Sequence, residues 1–349
     1  MVPEMQSIRS QVIRRLRQAA RYIKYRYASR ALILMYHRVT ELPNDPYLLA
    51  VTPKHFAEQL EVIRRYGVPM TLRQMVEALQ DGKVPKRGVV VTFDDGYADN
   101  LYSAKPLLER YDIPATVFVT TGHVGHPCEF WWDELDRLLL QPGTLPPRLE
   151  LSLNGHALQW ELGEAATYPT ADYQRDRNWH IEREDCPTPR HGLHRSLYQL
   201  FHNSTAQHKR QLLDDLRIWA GAQPIGRSTH RTLTVNELAD LAKQQIIEIG
   251  AHTMTHPPLA TLAVAEQRNE IRHSKAGIEE IVNRPVTSFA YPHGSYTEET
   301  LAVVRGAGFS FACSSDTATV KQGNDPFRLP RVSMRNWDGD TFCHWLQGW

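Results

Sequence analysis

One stretch limits the folds open to this chain: Val89-Val90-Val91-Thr92-Phe93-Asp94-Asp95-Gly96. Consecutive β-branched apolar residues predict a strand covered on both faces, as in parallel sheets flanked by helices. The strand runs into two carboxylates and a glycine, and the carboxyl ends of parallel strands are where such sheets bind ligands. Adjacent carboxylates repel unless a cation separates their roles. A metal does this most simply, with one Asp ligating it and the other left free as a base. Asp-Asp-Gly is also ordinary turn chemistry, so this stretch alone leaves both readings open.

The surrounding pattern agrees with a parallel sheet. Ala31-Leu32-Ile33-Leu34-Met35-Tyr36 predicts a second buried strand, with His37 at its carboxyl end. A helix follows from Pro53 to Arg65, carrying Phe56, Leu60 and Ile63. Thr71 and Gln74 form a capping box for a helix through Leu79. After the Asp-Asp-Gly turn come a helix ending near Tyr111 and the strand Ala115–Val119. The pattern resumes at Thr234, capped by Glu237, with strands ending at Ala251, Tyr291, Cys313 and Val332 and helices over 235–244, 264–283 and 298–306. Strands and helices in alternation predict an α/β sheet or barrel.

Residues 122–231 break the alternation. They are rich in His, Pro and polar residues, and 141–192 alone holds Pro142, Pro146, Pro147, Pro169, Pro187 and Pro189. This region reads as an insertion on the carboxyl face of the barrel without a core of its own. Its tryptophans, Trp131, Trp132, Trp160 and Trp179, either stack on sugar rings or hold the insertion down.

Length and charge narrow the function. A chain of 349 residues allows one large barrel or two domains, here a barrel over 31–349 preceded by a segment at 1–30. A net charge of +1 argues against a nucleic-acid partner. Cys128, Cys186, Cys313 and Cys343 show no metal or disulfide spacing and read as free thiols in a reducing compartment. No apolar run reaches membrane-spanning length and no signal-peptide core follows the first basic residues, which predicts a cytoplasmic location. Residues 5–30 have an amphipathic helical pattern, with Arg9, Arg14, Arg15, Arg17, Arg21, Lys24, Arg26 and Arg30 carrying the charge. Such a helix either lies on an anionic membrane at its inner face or packs on the domain.

The chemistry concentrates in His252-Thr253-Met254-Thr255-His256-Pro257, directly after a predicted strand. Two histidines four apart can reach one point, although this chain holds 16 histidines and a pair on the surface is unremarkable by itself. Joined with Asp95 they make two imidazoles and a carboxylate, a three-ligand set that leaves positions open for water and substrate. An open metal position acidifies water and polarises a carbonyl oxygen, and Asp94 is adjacent to take the proton.

The pair Thr92-Phe93-Asp94-Asp95-Gly96 and His252-Thr253-x-x-His256-Pro257 resembles the NodB-homology polysaccharide deacetylases, carbohydrate esterase family 4. The likeness covers about 31–121 and 233–335. It implies an irregular (β/α)7 barrel, a deformed relative of the TIM barrel. It further implies Asp94 as general base, Asp95, His252 and His256 as ligands of a divalent metal, usually zinc, and the Tyr97 backbone N–H as an oxyanion donor. Tyr291 and Pro292 correspond to a groove wall. The family's third motif begins with an arginine that orients the base, and Ala290 stands there in this chain. Arg331 and Arg328 are the replacements to consider. The family's usual late histidine acid is also missing, and Met35-Tyr36-His37-Arg38-Val39 resembles the poly-N-acetylglucosamine deacetylase branch, which implies His37 as the acid. The expected activity is metal-dependent N-deacetylation of an N-acetylated amino sugar in a polysaccharide or lipid-linked glycan. The alternatives are a non-catalytic carbohydrate-binding barrel and a hydrolase of a non-sugar amide.

Overall fold

The computed structural model describes residues 30–349 apart from 154 and 244. The predicted basic helix, residues 5–30, lies outside them except for Arg30. Seven parallel strands form the central sheet: β1 (Ala31–Tyr36), β2 (Gly88–Phe93), β3 (Ala115–Val119), β4 (Ile247–Ala251), β5 (Ser288–Ala290), β6 (Phe311–Cys313) and β7 (Val332–Ser333). Their spatial order is β6-β5-β4-β3-β2-β1-β7. A two-residue edge, Val68–Pro69, pairs with the start of β2. Tyr36 of β1 lies beside Phe93 of β2, so the two carboxyl ends finish level. Leu329 bridges to Cys313 of β6, and Val332 and Ser333 pair with Leu34 and Met35 of β1. One short segment therefore touches both edges and closes the curled sheet into the irregular (β/α)7 barrel. The predicted strand 327–332 shortens to β7 because Pro330 has no N–H to give a ladder.

The period-2 alternation of strand side chains sorts the core. Ala31, Ile33, Val90, Phe118, Ala290 and Phe311 point inward and meet Leu72, Met75, Val76 and Leu79 of helix Leu72–Gln80. That helix is capped by the reciprocal Thr71–Gln74 bonds and plugs the amino-terminal end of the barrel. Leu34, Tyr36, Val91, Phe93, Val117 and Ile249 point outward against Phe56, Leu60, Ile63, Leu238 and Ile271 of the flanking helices. The carboxyl-terminal end is left for polar residues.

The insertion departs from expectation, because it has its own hydrophobic cluster. Leu135, Leu139, Leu149, Leu197, Phe201, Leu212 and Leu216 pack together from helices Trp131–Leu139, Pro189–His202 and Ala206–Ala220 and the hairpin Arg148–Leu153 with His156–Glu161. Trp131, Trp132 and Trp179 belong to this core and keep 8% exposure or less, so they are packing residues rather than sugar platforms. The apolar positions are spread among polar ones along the chain and converge only when the helices pack. Buried Arg190 ties the insertion's loops by donating to the carbonyls of Leu139, Gln141, Gly143, Ala165 and Ala166. All four cysteines are free thiols. Among the described residues no helix is long and apolar enough to cross a membrane.

Candidate active site

Val90, Thr92 and Asp94 alternate on one face of β2, which brings the Asp94 carboxylate to the top of the barrel interior. There Arg331 grips it with two bonds of 2.7 Å, one from each terminal nitrogen to each carboxylate oxygen. Arg331 is fully buried and also donates to Ser314 O at 2.9 Å and Thr92 Oγ1 at 3.3 Å. Burial opposes the Asp94 charge, but Arg331, His252 and His37 outweigh it and hold the carboxyl below the usual carboxylate range. At Asp95 the chain takes a left-handed turn, φ 74°, which aims this carboxylate away from its neighbour.

His252 follows β4, its N–H bonded to Val119 O at 3.0 Å. The loop to His256 is tight, with Thr253 at φ 63° and His256 at φ 58°. Unfavourable backbone of this kind persists when its surroundings over-determine it. Glu270 of helix Val264–Val282 supplies that support, accepting from Met254 N, Thr255 N and Thr255 Oγ1 at 2.7–2.9 Å. His252 Nδ1 is 2.8 Å from Ala290 O, a bond that assigns the proton to Nδ1 and leaves Nε2 as a lone-pair donor. Nε2 of His252 and of His256 lie 3.6 and 3.3 Å from Asp95 Oδ1. One ligand atom from each of Asp95, His252 and His256 falls within 4.8 Å of the others. Asp95 Oδ1 is buried without a hydrogen-bond partner among the described residues. A buried carboxylate oxygen facing two imidazole nitrogens and no donor is satisfied by a cation. Burial, then His252, Lys209 and His123, push the His256 pKa well below its ordinary value, which keeps it in the neutral, ligating form. These residues fit a divalent metal.

The insertion walls one side of this centre. The Trp132 ring meets His256 edge-on at 5.0 Å, Phe130 stacks on Trp132 at 4.4 Å, and His123 stacks on Phe130 at 4.1 Å. Tyr97 links the wall to the barrel. Its hydroxyl donates to Asp133 Oδ2 at 2.7 Å and accepts from Trp132 Nε1 at 2.9 Å, and the Arg38 guanidinium lies over its ring at 4.4 Å. Gly96 O and Ala98 N are bonded to Leu233 N and Arg231 O, and no acceptor among the described residues takes the Tyr97 N–H between them.

Asp94, Asp95, His252, His256, Tyr97 and Arg331 thus converge at the barrel mouth. His37 is half-buried at the end of β1, within electrostatic reach of Asp94, and its carbonyl accepts from Asn100 Nδ2. Two predicted residues are corrected. Arg328 does not approach Asp94; it pairs with Glu298 and with Asp325 at the surface. The Tyr291 side chain does not line the site either. Strand alternation turns it outward beside Phe289, with its hydroxyl on Phe327 O at 3.1 Å. Pro292 is buried and opens the turn Pro292–Gly294, which sets His293 at φ 56° with its ring 4.6 Å from His256. The sequence reading missed His293 and Glu270, and it named Trp132 without placing it against His256. Of the two missed, only His293, inside the third motif, carried a local signal.

The sequence profile of the family described as polysaccharide deacetylase matches residues 81–143 and 202–312. The poly-beta-1,6-N-acetyl-D-glucosamine N-deacetylase of Staphylococcus aureus is 35% identical over 116 residues, 30% of this chain and 40% of that protein. The protein of the same name from Staphylococcus epidermidis is 34% identical over the same length. The chain therefore matches less than half the length of these curated relatives. Among solved structures, the Streptococcus pyogenes deacetylase PplD in complex with acetate superposes with a TM-score of 0.55 at 18% identity, covering 90% of this chain and 97% of that one. IcaB from Ammonifex degensii gives a TM-score of 0.55 at 18% identity, covering 92% and 98%. Both share the fold.

Proposed function

Because the chain belongs to the polysaccharide deacetylase family, we propose that it is a metal-dependent hydrolase removing acetate from an N-acetylated amino sugar. The observation that carries this reading is the Asp94–Arg331 ion pair beside the Asp95–His252–His256 cluster. A pure binding protein has no use for an ionised carboxylate held next to a metal cradle. Asp95, His252 and His256 would hold the cation, with zinc the first choice for this ligand set. When bound, a divalent cation supplies Lewis acidity that acidifies water and polarises a carbonyl.

The chain's own groups do the rest. Asp94 takes the proton of the water that attacks the acetamide carbon, and Arg331 keeps it ionised and aligned. The Tyr97 N–H donates to the carbonyl oxygen as it gains charge. His37 protonates the amine nitrogen as the C–N bond breaks, so acetate and a free amino sugar leave. The aromatic wall of Phe130 and Trp132 limits water around the reacting carbonyl. The non-catalytic alternative drew on the arginine missing at Ala290, and Arg331 removes that support.

The matched relatives, named for poly-β-1,6-N-acetylglucosamine, support a β-linked N-acetylglucosamine polymer or oligomer as substrate class. Acetate release from such oligomers tests the reading. Release should be abolished by a chelator, restored by zinc, and lowered about 10²–10⁴-fold in Asp94→Asn. Chelator-resistant release, or none from any N-acetylated sugar with zinc present, would overturn it. The basic pattern of residues 5–30 supports a peripheral site at the inner membrane face. Co-sedimentation with phosphatidylserine vesicles should then be lost when residues 1–29 are deleted, and unchanged sedimentation would refute the association.

A further inference from the structure

The chain leaving β1 through His37 and the chain leaving Arg331 run side by side at the barrel mouth. Ser333 pairs with Met35, and Met334 N donates to Met35 O at 2.9 Å. That register brings Arg335 to the level of His37. Gln59 fixes it there, accepting from the Tyr36 hydroxyl at 2.9 Å and donating to Arg335 O at 3.1 Å.

Beyond this point lies an open cavity of about 400 Å³. Three parts of the chain wall it: the loop 40–52 that follows His37, Arg177 and Asn178 of the insertion, and Arg335 with Asn336. The walls are tied to one another. Ile181 N of the insertion donates to Pro46 O at 2.9 Å, Arg335 pairs with Glu182 at 2.6 Å, and Thr52 N donates to Asn336 Oδ1 at 3.0 Å. A cavity framed by such bonds is formed before any ligand arrives, and its volume falls within the roughly 300–1,000 Å³ of small-molecule sites.

The lining is mixed as a sugar ring is mixed. A pyranose has C–H faces and an edge of hydroxyls, and here Leu42, Leu48 and Ala50 supply apolar surface. Beside them stand donors with no protein acceptor. The side chains of Arg177 and Asn178 make no hydrogen bond or ion pair with any described residue. The Asn336 oxygen takes the Thr52 N–H and faces His55 Nδ1 at 2.7 Å, which leaves its amide nitrogen without an acceptor among the described residues. Leu48 carries a further mark, because it holds φ 56°, a conformation bulky residues rarely adopt. Three bonds maintain it: Leu48 N donates to Asp45 O, and the Asp45 carboxylate accepts from Leu49 N at 3.0 Å and Ala50 N at 2.9 Å. Strain supported in this way clusters at ligand clamps and active sites.

We propose that this cavity binds a second sugar of the substrate, next to the one that loses its acetyl group, so that the chain acts on linked amino sugars rather than on single ones. This rests on the deacetylase reading and narrows its substrate. The insertion contributes Arg177 and Asn178, so it selects for length while the barrel supplies the chemistry.

The test compares kcat/KM of the zinc-loaded full chain on N-acetylglucosamine and on its β-1,6-linked and β-1,4-linked tetramers. The wild type should favour one tetramer over the monosaccharide by at least about 10-fold, the worth of one or two hydrogen bonds. Combining Arg177→Ala with Asn178→Ala should remove most of that ratio through a higher KM for the tetramer. Both residues are exposed, and a folding defect would lower all rates together and cancel in the ratio. Calorimetric binding of the same three sugars to zinc-loaded Asp94→Asn, with and without the double substitution, reads the preference without turnover. If no sugar releases acetate but a tetramer binds more tightly through Arg177 and Asn178, the deacetylase reading fails and the sugar subsite stands. Monosaccharide and tetramers handled alike by the wild type, in turnover and in binding, would overturn the subsite. So would a tetramer preference that survives the double substitution, because the added sugars would then be held elsewhere.

Discussion

Asp94 and Arg331 are joined by two 2.7 Å bonds across 237 residues of sequence. Ala290 occupies the place where the family resemblance expects an arginine, and it points into the barrel beside Phe118 and Phe311. A guanidinium from the closing segment reaches the same carboxylate. Arg331→Met leaves a buried carboxylate unpaired and should destabilise the fold by about 3–5 kcal/mol, read by urea denaturation. The pH dependence follows from the depressed Asp94 pKa. A group whose folded pKa lies below its ordinary 3.8 adds stability that is present above that value and lost as pH falls through the lower, folded one. Arg331→Met removes the main charge holding it down, so the acid-unfolding midpoint should move to higher pH. A midpoint at or below that of the wild type would mean that another group, such as His252, holds the carboxylate.

Among elements, the loop between β4 and helix Val264–Val282 decides whether a metal has a place to sit. Its two histidines depend on left-handed backbone at Thr253 and His256, and Glu270 closes three hydrogen bonds over that strain. Thr253 adds an internal brace, accepting from His256 N at 3.0 Å. Glu270→Ala frees three donors without touching a ligand. Outer partners of metal ligands typically contribute 10–100-fold in affinity, so zinc affinity should fall by about that factor while the melting transition stays cooperative. Competition with a chromogenic chelator measures it, and unchanged affinity would show that packing alone holds the loop.

For the molecule as a whole, the joint between barrel and insertion runs through Tyr97, Asp133, Trp132 and Arg38. Burial raises the Asp133 carboxyl from an ordinary 3.8 to about 7, against the opposing pull of Arg38 and the Tyr97 hydrogen bond. A raised carboxyl pKa contributes stability that is full below 3.8 and is lost as pH rises through about 7. Stability should therefore decline between roughly pH 4 and 7 for this group. Asp133→Asn keeps an acceptor for the Tyr97 hydroxyl and removes the titration, so the decline should flatten. Thermal melts of both proteins across that window give the comparison, and parallel slopes would place the titration elsewhere.

Buried-strand runs and two capping boxes were enough to read an α/β sheet or barrel, and two motifs singled out Asp94, Asp95, His252 and His256, because each signal is carried by residues close together in sequence and by periodicities of 2.0 and 3.6. The insertion's core was not legible, since Leu135, Leu197 and Leu216 lie on separate helices and meet only after those helices pack. Nor was the choice between Arg328 and Arg331. Both stand three apart in one segment, and only closure of the barrel turned one inward to Asp94 and left the other among surface carboxylates. Local sequence determined which groups could do chemistry. The tertiary structure decided which of them face one another, because hydrogen bonds and ion pairs act over a few ångströms of space whatever the separation along the chain.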